Sequence, residues 1–477
     1  MSFNSLSFAI FLPVIFALHW ALPHRYRVML LLAASYYFYM SWNPKYVVLI
    51  LSTTLVSYLA GLAIEKERLK SGSAPKWIAV AATLFCLGIL FVFKYLGFFS
   101  QTVSAVAGMF SLTIHPVTLK LLLPVGISFY TFQTMSYVFD VYAGKTKAER
   151  NFLVYASFIS FFPQLVAGPI ERTENLLPQI KAEKKFDYAL AMYGARQILW
   201  GLFKKIAVAD VVAVWVDNAY SDLTCCTPFD SCIAIFFFTV QIYCDFSGYS
   251  DIAIGTAKLF GIRLMKNFSS PYLATSVREF WNRWHISLST WFRDYVYIPL
   301  GGNRCSRLRT SVNLMITFLL SGLWHGADWT FVLWGGMHGF ARVIEKLIPA
   351  RDKKSLLRKA LAWLAVFVFC NLTWGFFRAE SVGDALSVIG NALGGIPNID
   401  GYFHTRIGLS PGILLRCLCV IGIVAAYDCL SIKMDVIQTA AHANRFLVIG
   451  IEYAVLACIV WALYKGLGAN QFVYFQF

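Results

Sequence analysis

Two histidines stand where an imidazole could do acid–base work. His325 lies in Ser321-Gly322-Leu323-Trp324-His325-Gly326-Ala327, deep in apolar sequence, with glycines that let another backbone or a substrate approach. No adjacent charge explains it, and an ionisable residue inside a membrane is costly enough to be a functional candidate by default. As a neutral imidazole near pH 7 it could take the proton from an attacking hydroxyl, the task of a general base. His285 sits in Glu279-Phe280-Trp281-Asn282-Arg283-Trp284-His285-Ile286-Ser287-Leu288. At helical spacing Trp281, Trp284, His285 and Leu288 share a face. This imidazole could polarise an acceptor hydroxyl or shuttle its proton, and it could equally be a satisfied interface histidine.

Further polar groups interrupt the apolar sequence. Asp245 and Asp251 lie six apart in Gln241–Asp251 among Ser and Tyr hydroxyls, as a functional pair or as a structural hydrogen-bond network. In Pro124–Gln133, proline and glycine break the helix while Ser128, Tyr130, Thr131 and Gln133 supply groups that need partners. They read either as helix-packing glue or as the lining of a polar cavity. Pro163–Arg172 carries two prolines and a glycine that end or kink its segment. Gly335-x-x-x-Gly339 predicts close helix packing. No Walker loop, G-x-S-x-G or H-E-x-x-H occurs, which argues against a soluble-type NTPase, hydrolase or metalloprotease. The eleven cysteines form no C-x-x-C; only Cys225, Cys226 and Cys232 cluster, a weak signal for zinc or a disulfide.

The elements that must position these groups are membrane helices. Of 477 residues 58% are apolar and only 14% charged, against roughly 25% charged in soluble domains. The net charge of +16 is spread as short basic runs between apolar segments, including His24–Arg27, Lys66–Lys76, Lys181–Lys185, Lys204-Lys205 and Arg304–Arg309. That is the pattern of cytoplasmic loops rather than of nucleic-acid binding. A span needs about 20 apolar residues. The candidate spans are 6–22, 28–42, 45–64, 77–98, 118–142, 152–168, 190–218, 229–260, 311–325, 327–347, 360–378, 410–430 and 446–466, with 152–168 and 311–325 as re-entrant or tilted candidates. Placing 24–27, 65–76 and 351–359 inside puts both termini outside, and leaves 145–310 unassigned. Between Gly261 and Arg309 the apolar runs stop. Six Trp and Tyr residues from Tyr272 to Tyr297 interleave with basic residues there, which predicts amphipathic helices at the membrane surface. The whole chain, 1–477, reads as a single membrane domain.

Five ordered stretches carry a resemblance: LLPVGISFYTFQTMSYVFDVY (122–142), FFPQLVAGPIER (161–172), YCDFSGYSDIAIG (243–255), FWNRWHISLSTWFRDYVYIPLGGNR (280–304) and GLWHGADWTFVLWGGMHG (322–339). In them the chain resembles the membrane-bound O-acyltransferase superfamily, in its bacterial polysaccharide branch, with the teichoic acid D-alanyl transferases as cousins. The resemblance implies an all-α integral membrane protein of the bacterial cytoplasmic membrane. Its fold would be a ring of about eleven transmembrane helices, each of about 20 residues, plus re-entrant and interfacial helices. The ring would surround a thin centre where opposed funnels meet near the histidine. Residues 118–345 would be the catalytic core, and 446–477 the last span with an extracytoplasmic tail.

The resemblance also implies roles. His325 falls on the family's catalytic histidine and His285 on its second motif histidine. The donor would be acetyl-CoA, entering from the cytoplasm, with its phosphates near basic residues such as Arg263 and Arg304. Asn282 or His285 could stabilise the oxyanion, and Ser128, Gln133 and Asp245 could contact substrate. An extracytoplasmic polysaccharide acetyltransferase is the implied partner protein, beside membrane lipid; no bound cofactor, metal or nucleic acid is called for. The ending Phe472-Val473-Tyr474-Phe475 resembles the F-x-Y-F terminus of the small partner peptide in D-alanylation, which implies Tyr474 as an acyl relay, against a simple aromatic interface anchor. A lipid-linked-sugar transporter and a D-alanyl transferase are the rival readings.

Overall fold

The computed structural model describes residues 1–117, 122–347, 355–394, 405–466 and 472–473, and every regular element among them is helical. A chain in lipid must satisfy its backbone groups internally, which a helix does within one segment. Six described helical segments are long and apolar enough to cross a membrane: Pro44–Ser71, Lys76–Met109, Pro228–Leu259, Leu356–Arg378, Pro411–Ser431 and Arg445–Tyr464. Sequence alone leads one to expect thirteen candidates and about eleven spans of about 20 residues. The shortfall has local causes. Leu6–Ala21 has 16 residues, and Phe152–Ser160 has nine, ending where Phe161 turns out of the helix.

The described chain forms two compact units, residues 1–195 with 253–265, and residues 196–252 with 266–477. In the first, Phe11 meets Phe162 edge-on at 5.3 Å and Tyr137 packs on Tyr155 at 4.5 Å. Gly126 starts the Ile127–Tyr142 helix at φ +75°, and a Cβ there would lie 2.6 Å from the Leu165 carbonyl oxygen. The expected break in the Pro124–Gln133 motif is therefore real, and glycine is required by both its conformation and the close approach.

In the second unit the Arg307–His325 and Trp329–Leu347 helices touch backbone to backbone. A Cβ on Gly322 would sit 2.3 Å from the Phe331 oxygen, and one on Gly335 2.3 Å from the Phe318 oxygen. Small residues permit this approach, so the packing expected at Gly335 and Gly339 is present. Arg307–His325 is also one unbroken helix of 19 residues.

Two expectations are corrected here. The Tyr188–Leu202 helix continues through a π-helical turn, Phe203–Ala209, into Asp210–Ser221. Lys204 and Lys205 lie on that turn, 5% and 3% exposed, and are not a loop run. The stretch between Gly261 and Arg309 buries Phe280, Trp281, Trp284 and Trp291 while Arg278, Arg293 and Arg304 stay exposed. Its helix also breaks: Val277–Arg283 ends, Trp284 is extended, His285 takes φ +42°, and Ile286–Phe292 starts afresh. The helical face drawn through Trp281, Trp284, His285 and Leu288 therefore does not exist, because the break re-aims everything after Arg283.

Candidate active site

His325 ends its helix, with Gly326 extended behind it, and is 2% exposed. Its Nδ1 lies 2.6 Å from the Ser321 carbonyl oxygen. A carbonyl only accepts, so Nδ1 carries the proton and Nε2 is the basic nitrogen. The ring is walled by Trp334 at 4.9 Å, Trp324 at 5.0 Å and Phe377 at 5.6 Å between centroids. Gly326 is required here: a Cβ would fall 2.1 Å from the Phe331 ring. The imidazole is thus enclosed on these sides by aromatic rings.

The His285 ring stands 6.4 Å from that of His325 and is fully buried. Its left-handed backbone costs a non-glycine residue roughly 1–2 kcal/mol. Asn267 holds it there. The Asn267 carbonyl accepts from Ile286 N at 2.9 Å. Its side-chain Oδ1 accepts from Ser287 Oγ at 2.7 Å and faces His285 Nδ1 at 3.2 Å. With Oδ1 as the shared acceptor, Nδ1 of His285 donates, as in His325. Asn267 also donates from Nδ2 to Ser250 Oγ at 3.2 Å. Backbone strain that the surroundings over-determine is a mark of functional sites. Sequence reasoning missed Asn267, since a lone Asn after a lysine carries no pattern.

A third histidine, His338, shows the contrast. Trp281 Nε1 donates to its Nδ1 at 3.2 Å, and its Nε2 faces Thr373 Oγ1 at 3.1 Å. Both nitrogens are thereby engaged, so this ring is built into the packing beneath Trp334.

Beside the pair lies a buried ionic network. Lys205 Nζ bridges Asp210 and Asp245 at 2.7 and 2.6 Å. Lys204 Nζ meets Asp251 at 2.6 Å and donates to Ser247 Oγ at 2.9 Å. The remaining oxygen of Asp245 accepts from the backbone N–H of Val473 at 2.7 Å. Phe472, 3% exposed, stacks on Tyr249 at 4.7 Å and packs on Phe246 at 5.6 Å, and Phe246 meets His285 edge-on at 4.6 Å. Residues 472–473 thus pack one ring away from His285. Two lysines inside one apolar run and two aspartates inside another are the sequence signal for this network.

The other candidates fall elsewhere. Asn282 and Arg304 are exposed. Arg304 precedes the Arg307–His325 helix, whose 19 residues span about 28 Å, so it lies a helix length from the imidazole. Arg263, exposed, and Ser128 and Gln133 belong to the first unit. Gln133 donates to the Phe158 carbonyl at 2.7 Å and accepts from Gln164 at 3.0 Å, which ties one broken helix to the next. Tyr474 lies outside the described residues.

Residues 146–378 match the sequence profile of the membrane-bound O-acyltransferase family. The chain is 40% identical over 373 residues to the probable alginate O-acetylase of Azotobacter vinelandii, covering 78% of this chain and 74% of that protein. It is 36% identical over 392 residues to the peptidoglycan O-acetyltransferase of Helicobacter pylori, covering 76% and 73%. Identity to the teichoic acid D-alanyltransferase of Bacillus subtilis is 26% over 265 residues, covering 53% of this chain and 67% of that one.

Proposed function

Because the chain belongs to the membrane-bound O-acyltransferase family, we propose that this acyltransferase passes an acetyl group from acetyl-CoA, taken at the cytoplasmic face, towards an exported or cell-wall polysaccharide. The names of the alginate and peptidoglycan relatives, both above 30% identity, favour acetyl over D-alanyl transfer and over sugar transport. The setting is the bacterial cytoplasmic membrane, with an extracytoplasmic transferase as partner.

The observation that carries the reading is the tautomer of His325, fixed through Nδ1 by the Ser321 carbonyl. Its Nε2 removes the proton of an attacking hydroxyl. The oxygen then adds to the thioester carbonyl, the C–S bond breaks, and the imidazolium returns its proton to the departing thiolate. His285, held by Asn267 6.4 Å from His325, is the neighbour placed to stabilise the developing oxyanion.

The attacking hydroxyl is assigned to Tyr474. A 2%-exposed imidazole behind tryptophans suits the phenol of a side chain better than a polymer. The docking of Val473 on Asp245 supports a tail that works beside the histidines. The acetyl-tyrosine would then be unloaded by the partner.

The test is purified protein in liposomes with labelled acetyl-CoA. Wild type accumulates label on protein, Tyr474→Phe accumulates none, and sugar flux without acetyl transfer would overturn the enzyme reading. Full polysaccharide acetylation by Tyr474→Phe in cells would remove the relay while leaving His325 as base.

A further inference from the structure

Beside the histidine pair, three buried indoles leave their N–H groups unmet among the described residues. Trp284 and Trp334 are 0% exposed, Trp374 is 1% exposed, and the Nε1 of each lacks a hydrogen-bond partner there. An indole nitrogen only donates, and a buried tryptophan usually finds an acceptor. Other indoles of this chain do so. Trp20 donates to the Leu259 carbonyl at 3.0 Å, Trp363 to the Tyr272 carbonyl at 2.8 Å, and Trp281 to His338 Nδ1 at 3.2 Å. The unmet three touch one another in a row that begins at His325. Centroids are 4.9 Å apart from His325 to Trp334, 5.4 Å from Trp334 to Trp374, and 5.0 Å from Trp374 to Trp284. A donor buried without a partner costs stability, so a cluster of them against one imidazole marks a place kept for an acceptor.

Of the three, Trp334 stands against His325. Rings in contact put the edge of one within hydrogen-bond reach of a group bound at the other. Trp334 is also held still. The adjacent Gly335 lies so near the Arg307–His325 helix that a Cβ would fall 2.3 Å from the Phe318 oxygen. Trp374 stacks on the Trp334 ring at 26°, and Phe377 meets it edge-on at 5.2 Å. A donor fixed in advance needs no reorganisation when charge develops in front of it. It complements His285, whose Nδ1 proton goes to Asn267 and whose Nε2 donates only after taking up a proton. An indole N–H donates in every protonation state of the site.

We propose that Trp334 is a catalytic residue of the acyl transfer, giving its Nε1–H to the carbonyl oxygen of the thioester. The assignment rests on the acyltransferase reading above and adds to it the group that activates the electrophile. His325 Nε2 takes the hydroxyl proton, the hydroxyl oxygen bonds to the thioester carbon, and the carbonyl electron pair moves onto the oxygen that faces Trp334. That pair returns as the C–S bond breaks, and the thiolate leaves with the proton held on His325. The indole proton stays on its nitrogen throughout, and its hydrogen bond strengthens as the oxygen becomes anionic.

The experiment uses the whole chain in liposomes with labelled acetyl-CoA. Trp334→3-benzothienylalanine keeps the bicyclic shape and puts sulfur where the indole has N–H. The single-turnover rate at saturating donor should fall by about 10²-fold or more, the loss of one oxyanion donor, with half-saturation and thermal midpoint unchanged. Trp281→3-benzothienylalanine, which removes an N–H already given to His338, should lower the midpoint and keep the rate per folded molecule. A full rate in the Trp334 variant, beside an active wild type, overturns this assignment alone and returns the indole to packing on ring faces. A fall in midpoint that accounts for all the lost rate overturns it as well. Wild type that transfers no acetyl overturns the acyltransferase reading itself, and the Trp334 role with it.

Discussion

As sequence, the glutamine pair of the first unit resembles the histidine pair of the other: polar groups in apolar surroundings, beside glycines that permit close approach. Gln133 and Gln164 spend themselves on each other and on the Phe158 carbonyl, mending a helix that proline and glycine have broken. His325 and His285 each direct Nδ1 at one fixed oxygen, of Ser321 and of Asn267, which sets the identity of the other nitrogen. The difference lies in what the partner fixes: a packing arrangement for the glutamines, a protonation state for the histidines.

The comparison can be broken most sharply at His325. His325→Asn should slow transfer by about 10²–10⁴-fold with an unchanged thermal midpoint, in a labelled-donor assay. His338→Asn, which removes a ring with both nitrogens engaged, should act mainly on stability. A loss of transfer in His338→Asn as deep as in His325→Asn would erase the distinction.

Next comes the ionic network. Lys205→Met leaves Asp210 and Asp245 facing each other without a cation and should cost about 3–5 kcal/mol of stability, read as early unfolding in detergent. A smaller effect is expected at Asn267. Asn267→Leu frees the His285 ring and should lower turnover by about 10- to 100-fold, while Asn267→Asp, which keeps an acceptor for Nδ1, should recover part of it. The smallest effect on turnover belongs to Gln133→Leu. Stability should fall by about 1–3 kcal/mol, the cost of the group left unmet, with the rate per folded molecule unchanged. A rate loss without a stability loss would restore Gln133 to the substrate path.

Much is legible in the sequence. Membrane residence follows from apolar runs and basic punctuation, which are local properties of the chain. The motifs around His325 and Gly335 are legible because glycine next to histidine in apolar sequence has few other uses. The orientation of His285 is not. Helical spacing assumes an unbroken helix, and the break after Arg283 depends on Asn267 gripping the chain at Ile286 and Ser287 from outside the motif. Lys204 and Lys205 mislead for a related reason. A lysine pair between apolar residues has the same local signature in a cytoplasmic loop as on a buried π-helical turn, and only the arrival of Asp245 and Asp251 from another helix tells them apart.

The sequence by itself settled the solvent, the helical class and the family, since each depends on residue types along a single segment. Tertiary structure alone decided which nitrogen of His285 is basic, which charges are paired in the interior, and that residues 472–473 pack beside Phe246. Those facts are set by oxygens, carboxylates and rings that folding brings from tens to hundreds of residues away, and no periodicity along the chain encodes a meeting of that kind.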